Sequence, residues 1–139
     1  MGNTLQVSIR NDSLFAILLA VLFIAYFGYE LVRNHLSALL ELKLKEQVTT
    51  TKRRWIEAVT EKDKELARAE LLSAYNQACV AYLSKQILPD NFVREYILEI
   101  KWIAETEELA SAMLTKQETY TGIWMVYDRW KKKLSKLEI

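Results

Sequence analysis

From residue 13 to residue 29 the chain has no charged side chain, reading Ser-Leu-Phe-Ala-Ile-Leu-Leu-Ala-Val-Leu-Phe-Ile-Ala-Tyr-Phe-Gly-Tyr. Leu31 and Val32 extend the stretch past Glu30. A helix rising about 1.5 Å per residue needs about 20 residues to cross a hydrocarbon core about 30 Å thick. Residues 13–32 meet that length, so they are read as a transmembrane helix. Leu14, Phe15, Leu18, Leu19, Leu22 and Phe23 supply its apolar surface, and Tyr26, Phe27 and Tyr29 cluster at its far end as interfacial aromatics do. A soluble core helix would show a polar face, which this segment lacks. A cleaved leader would need a basic start and small residues after the apolar core. Here Arg10 is offset by Asp12, and the core ends in bulky residues. Glu30 can meet Arg33 one turn later.

The pattern changes at residue 33. Leu36, Leu39, Leu40, Leu44 and Val48 recur at helical spacing among Glu41, Lys43, Lys45 and Glu46. Residues 33–51 therefore read as a juxtamembrane amphipathic helix. Its leucine stripe is expected to pack on the rest of the chain or on a sister chain. The β-branched run Thr49, Thr50, Thr51 is expected to break it as a hinge. Residues 52–139 read as a helical domain. Thr60 with Asp63 resembles a helix start. Leu66, Ala67, Ala69, Leu72, Tyr75, Cys79, Tyr82 and Leu83 mark the apolar side of the helix that follows. That helix should end near residues 86–88, because Pro89 disfavours helix in the residue before it. Asp90 is placed to cap the next one, which buries Phe92, Val93, Tyr96, Ile97, Ile100, Ile103 and Ala104 and runs on toward Leu114. A last helix follows the polar residues 115–121 and carries Ile123, Trp124, Val126, Tyr127, Trp130, Leu134 and Leu137. The expected fold is all-α: one N-terminal transmembrane helix, then a small cytosolic helical bundle.

Composition supports long helices, since glycine occurs only at positions 2, 28 and 122 and proline only at 89. The balance of 19 Lys+Arg against 18 Asp+Glu gives no global field to recruit nucleic acid. Charge asymmetry across the apolar segment matters more. Arg10 stands alone before it, whereas Arg33, Lys43, Lys45, Lys52, Arg53 and Arg54 follow. The positive-inside rule then puts residues 1–12 outside as a short tail and the C-terminal domain in the cytoplasm, at an inner membrane.

The chemistry-bearing residues are few. His35 is the sole histidine and Cys79 the sole cysteine. Hence no Ser-His-Asp or Cys-His arrangement has a spare member, and no paired ligands invite zinc. Cys79 falls on an apolar stripe and is read as a buried thiol. Glu95/Glu99 and Glu105/Glu108 pair at helical spacing, among enough basic residues to read as a solvated face. No catalytic residue, cofactor or metal is expected. Lys52, Arg53 and Arg54, near the anchor, are candidates for contact with lipid headgroups or an anion. Lys131, Lys132, Lys133 and Lys136 are read as helix-surface charge. Ala16 and Ala20, four apart, weakly suggest self-association of the anchor. Trp102, Tyr120, Trp124, Tyr127 and Trp130 are many aromatics for so small a core, which makes them candidates for a partner surface.

The run Leu71-Leu72-Ser73-Ala74-Tyr75, then Ala81-Tyr82-Leu83, Ile87-Leu88-Pro89-Asp90, and Phe92 with Tyr96 resembles a domain of unknown function found in small prokaryotic membrane proteins. The Trp-rich segment from Trp124 to Trp130 matches that family's C-terminal part. The resemblance covers about two thirds of the soluble part and implies a bacterial or phage source, an anchored helical domain and no catalytic residues. Two functions are expected in turn. The first is a non-enzymatic, membrane-anchored interaction module whose partners are the lipid bilayer and a protein or a second copy. The alternative is an oligomeric membrane-acting effector of a defence, phage-exclusion or toxin system. A sensor of a small anionic ligand is a third and weaker idea.

Overall fold

A computed structural model describes residues 2–137, and the side chains of residues 11–136. The side chains of Arg10 and Leu137 lie outside the described residues. Five α-helices are present among the described residues: α1 (Gly2–Glu57), α2 (Glu61–Leu83), α3 (Pro89–Glu105), α4 (Glu107–Thr115) and α5 (Thr121–Leu137). No strand occurs among them. The fold is thus all-helical, with a long apolar N-terminal helix and a small helical bundle after it. By its contacts the chain divides into a first unit ending at Leu36 and a second beginning at Ser37.

The first unit is helix alone. It carries the uncharged residues 13–29, with Glu30 and Arg33 within 4.0 Å of each other one turn apart. Phe23 and Phe27 lie 4.7 Å apart along it, and Tyr26 meets Phe27 edge-on.

The second unit is the bundle, and the last part of α1 belongs to it. Leu44 and Val48 are buried in its core, with Leu40 and Trp55 packed against it, so the leucine stripe does pack on the rest of the chain. Leu36 and Leu39 stay exposed. The hinge expected at residues 49–51 is absent, because α1 continues to Glu57. Thr49 Oγ1 donates to the Lys45 carbonyl at 2.8 Å and Thr51 Oγ1 to the Gln47 carbonyl at 2.9 Å. These back-bonds satisfy the hydroxyls on the preceding turn, while the burial of Val48 and the packing of Trp55 carry the helix through residues that β-branching disfavours. The chain turns instead just before Thr60, whose side chain accepts from the Asp63 amide at 3.2 Å and caps α2. That cap agrees with the sequence expectation.

Helix α2 turns its buried face, including Leu71, Leu72, Tyr75, Ala78 and Cys79, into the core. Ala69 and Leu66 fall off that face and are exposed. The helix ends at Leu83, a turn earlier than Pro89 alone requires. Lys85 adopts φ 60°. Its amide bonds the Tyr82 carbonyl at 3.1 Å, and the Gln86 amide bonds that of Ala81 at 2.9 Å. This is a Schellman stop, a terminus usually built on glycine. Helix α3 then begins at Pro89, where a missing N–H costs nothing. Asp90 lies inside its first turn and Leu88 is the N-cap, without a side-chain bond. Asp90 therefore acts through the helix dipole and not as the cap.

One continuous helix to Leu114 is not formed. The Thr106 backbone is extended, and it separates α3 from α4. Helix α5 packs on α2 and α3, with Ile123 and Val126 fully buried. Tyr82 stacks on Phe92 at 4.3 Å, and Tyr75 meets Tyr96 edge-on at 6.4 Å.

Candidate functional site

The apolar face of the first unit is uncovered. Every large side chain from Leu14 to Tyr29 is at least half exposed. One described helix is long and apolar enough to cross a membrane, near the N-terminus, and none of its apolar window is buried. A soluble protein's apolar helix is buried against other elements; this one has no such cover. His35, just beyond the apolar stretch, is exposed.

Within the bundle, several carboxylates and cations pair with each other. Lys52 Nζ lies 3.1 Å from Glu99 and Arg54 lies 3.2 Å from Glu70, while Arg53 is exposed. Two members of the basic triplet thus hold α1 to α3 and α2. Glu95 pairs with Lys45 at 3.9 Å. Glu105 meets Lys101 and Glu108 meets Arg68, each at 3.3 Å. The spaced carboxylates are therefore cross-braces between helices as well as a solvated face. An open polar groove of about 690 Å³ separates α1 from α2, lined by Lys43, Gln47, Thr50, Arg54, Glu70 and Gln77. It is lined by no histidine or cysteine. Among the described residues no group of three or more His, Cys, Asp or Glu could hold a metal ion.

Cys79 is sealed in the core, and burial pushes its thiol well above the ordinary range. Burial also raises Tyr75, helped by its bond to Glu99, and it pushes Tyr96 up to about 12 beside Glu95, Glu99 and Glu41. Groups so held in the neutral form are structural and are poor nucleophiles at neutral pH.

The five candidate aromatics do not form one surface. Tyr120 is buried in the core and is closed to a partner. Trp124, Tyr127 and Trp130 are partly buried against the core. Trp130 Nε1 donates to the Tyr82 hydroxyl at 3.4 Å, and the Tyr127 hydroxyl donates to Glu105 at 3.3 Å. Trp102 is 40% exposed and meets Trp55 edge-on at 5.6 Å. The more open apolar side chains are ones the stripe reading passed over, including Ile56, Val59, Leu88 and Leu98. For Leu98 the signal was present, since it falls between the stripe positions Ile97 and Ile100. For Val59 and Leu88 it was not, because turn residues carry no period.

No protein-family model, curated protein or solved structure matches the chain.

Proposed function

We propose that this chain is a membrane-anchored, non-enzymatic interaction module. The apolar helix spans the inner membrane of a prokaryote and holds the bundle at its cytoplasmic face, with the short N-terminal segment outside. The observation that carries this reading is the uncovered apolar helix. Burying one Val, Leu, Ile or Phe side chain is worth roughly 1.5–3 kcal/mol, and the helix leaves twelve such residues open between Leu14 and Val32. Left in water, an apolar surface of that size drives association or insertion. Lipid is the cover that fits a charge-free segment of this length. The basic residues that follow the segment, against Arg10 before it, support the orientation.

Three features support a binding role over catalysis. The sole cysteine is sealed, the sole histidine stands outside the bundle unit, and most paired carboxylates face cations across helix contacts. Anchoring confines the bundle to a thin layer beside the bilayer, which raises its effective concentration toward membrane partners or other copies.

The test is fractionation of a detergent-free lysate followed by an alkaline carbonate wash. The full-length chain is expected in the washed membrane pellet, and recovery in the supernatant overturns the anchor. In-cell crosslinking should then trap species larger than the monomer. Monomer alone would remove the interaction role.

A further inference from the structure

Within the bundle unit, the last part of α1 and helix α3 lie side by side and share an outer face. Four contacts set their register. Glu41 meets Asn91 at 3.1 Å, Lys45 meets Glu95 at 3.9 Å and Lys52 meets Glu99 at 3.1 Å. The rings of Trp55 and Trp102 lie 5.6 Å apart. The residue numbers rise together, so the two helices run parallel. Open apolar side chains stand beside this ladder. Leu42 shares a shallow cleft of about 240 Å³ with Lys45, Arg94 and Glu95. Leu98 follows Arg94 by one turn, Trp102 follows Leu98 by another, and Ile56 follows Lys52 by one. Leu42, Leu98 and Ile56 are 64%, 67% and 70% exposed.

Charge divides this face along the seam. The α1 side of the ladder carries Lys45 and Lys52, and the α3 side carries Glu95 and Glu99. Glu41 is engaged by the Leu88 amide and Asn91, and Arg94 donates to Asn91 at 2.8 Å. The exposed Glu46 and Arg53 of α1 are opposite in sign. A face with a cationic half and an anionic half is complementary to itself. A two-fold axis along the seam lays the α1 half of one copy on the α3 half of another. Lys45 then meets the second copy's Glu95, and the reverse. Within one chain that pair is open, with side chains 62% and 43% exposed, so exchanging partners costs little. The same axis brings Trp102 to the level of the second copy's Ile56, and Leu98 to that of Thr49, whose hydroxyl is turned back onto the Lys45 carbonyl. The stretch from residue 42 to residue 56 is about 21 Å of helix, and two helices are about 20 Å across, so the face measures on the order of 400 Å². A stable contact between free proteins uses about 800 Å² a side, so this one needs the local concentration that anchoring supplies.

We infer that the α1–α3 face binds the same face of a second copy, in a two-fold contact where Lys45 and Glu95 exchange partners. This rests on the anchored interaction module proposed above and names its partner.

The full-length chain is reconstituted in phosphatidylcholine vesicles and treated with a bismaleimide, carrying either Leu98→Cys or Met125→Cys. Met125 is an exposed residue of α5, outside the face, and the fully buried Cys79 stays unreacted. Position 98 should join copies several-fold more than position 125. Adding Lys45→Glu to the Leu98→Cys chain should lower the yield, because carboxylate then faces carboxylate between copies, and adding Glu95→Lys should lower it likewise. Circular dichroism checks that each variant keeps its helices. Mixing the two charge variants before reconstitution should restore the yield. Each chain keeps its internal clash in that mixture, so only pairing between copies can recover it. Equal yields at 98 and 125, or a mixture no better than its components, overturn the inference. Disulfides formed through Ala16→Cys in the anchor, without joining at 98, overturn it and leave self-association standing. No joining at any position overturns it as well, and in-cell crosslinking then decides whether another protein carries the interaction role. A chain that does not float with the vesicles removes the anchor, and the inference with it.

Discussion

The Tyr75 hydroxyl donates to one oxygen of Glu99, whose other oxygen faces Lys52 Nζ at 3.1 Å. One carboxylate thereby ties α2, α3 and the last part of α1. Tyr75 is fully buried, so its hydroxyl loses its carboxylate acceptor, and Lys52 its partner, if Glu99 is removed.

Glu99→Ala is therefore expected to cost more than Tyr75→Phe. An unsatisfied buried hydroxyl costs about 1–3 kcal/mol, whereas deleting the hydroxyl itself forfeits about 1 kcal/mol of net hydrogen bonding. Thermal unfolding of the full-length chain in mild detergent, followed by loss of helical circular dichroism, ranks the two. A Glu99→Ala protein as stable as the original would show that the junction contributes nothing.

The same burial fixes the behaviour in alkali. An unfolded tyrosine ionises near pH 10, while Tyr96 is held neutral up to about 12 and Tyr75 is raised as well. Between those values the unfolded chain has released protons that the folded chain retains. Stability contributed by the neutral rings is thus complete below about pH 10 and falls as pH rises toward 12. Unfolding midpoints should decline over that window, with tyrosinate absorbance and helix loss rising together. Tyr75→Phe/Tyr96→Phe should flatten the decline, and an equal slope in the double variant would assign it to other groups.

How far the sequence revealed this fold depended on the kind of signal. The apolar run from Leu14 to Val32 and the cap at Thr60 were legible because each is local. The stripe through Phe92, Tyr96, Ile100 and Ile103 was legible because α3 has one strongly apolar face. Helix α2 was harder to read, since small residues such as Ala74 and Ala78 are buried while Leu66 is exposed. Residues 49–51 misled for a clear reason: threonine propensity disfavours helix, but the buried Val48 before them and the packed Trp55 after them favour it. The partner-surface reading failed at Tyr120 because counting aromatics does not show which the core absorbs. The cross-helix ion pairs of Glu99 and Glu70 join distant segments, and no spacing rule reaches them.

Lys85→Gly should stabilise the bundle. Glycine removes the left-handed strain at φ 60°, roughly 1–2 kcal/mol, and gives back up to about 1 kcal/mol in unfolded-chain entropy. The net expectation is a gain of about 0–1.5 kcal/mol, read as a higher unfolding midpoint. A lowered midpoint would mean that the lysine side chain, and not its backbone, stabilises the turn.

Gly122→Ala should act in the opposite direction, although alanine is the better helix former. A Cβ at position 122 would lie 2.8 Å from Asn76 Oδ1 and 3.0 Å from Val80 Cγ2. Asn76 is not free to move aside, because its Nδ2 donates to the Thr119 carbonyl at 3.1 Å and its Oδ1 accepts from the Ile123 amide at 3.3 Å. Overpacking of this kind costs about 1–3 kcal/mol, against roughly 1 kcal/mol gained in helix propensity. The midpoint should fall, and a rise would show that α5 can move off α2 without penalty.

Leu22→Lys tests the anchor without touching the bundle. Position 22 lies near the middle of the uncharged run, where a lysine cannot extend to either interface. A leucine there favours insertion by about 0.5 kcal/mol and a lysine opposes it by about 2.5–3.5 kcal/mol, a swing of roughly 3–4 kcal/mol. The membrane-bound fraction after a carbonate wash should drop sharply, while the bundle unit, which begins at Ser37, keeps its core. Leu39→Lys offers the matched control, since it adds the same charge at an exposed position of the second unit. Unequal loss between the two ties retention to the hydrocarbon-facing segment. Equal retention of both would mean that the chain is held at the membrane by something other than its apolar helix.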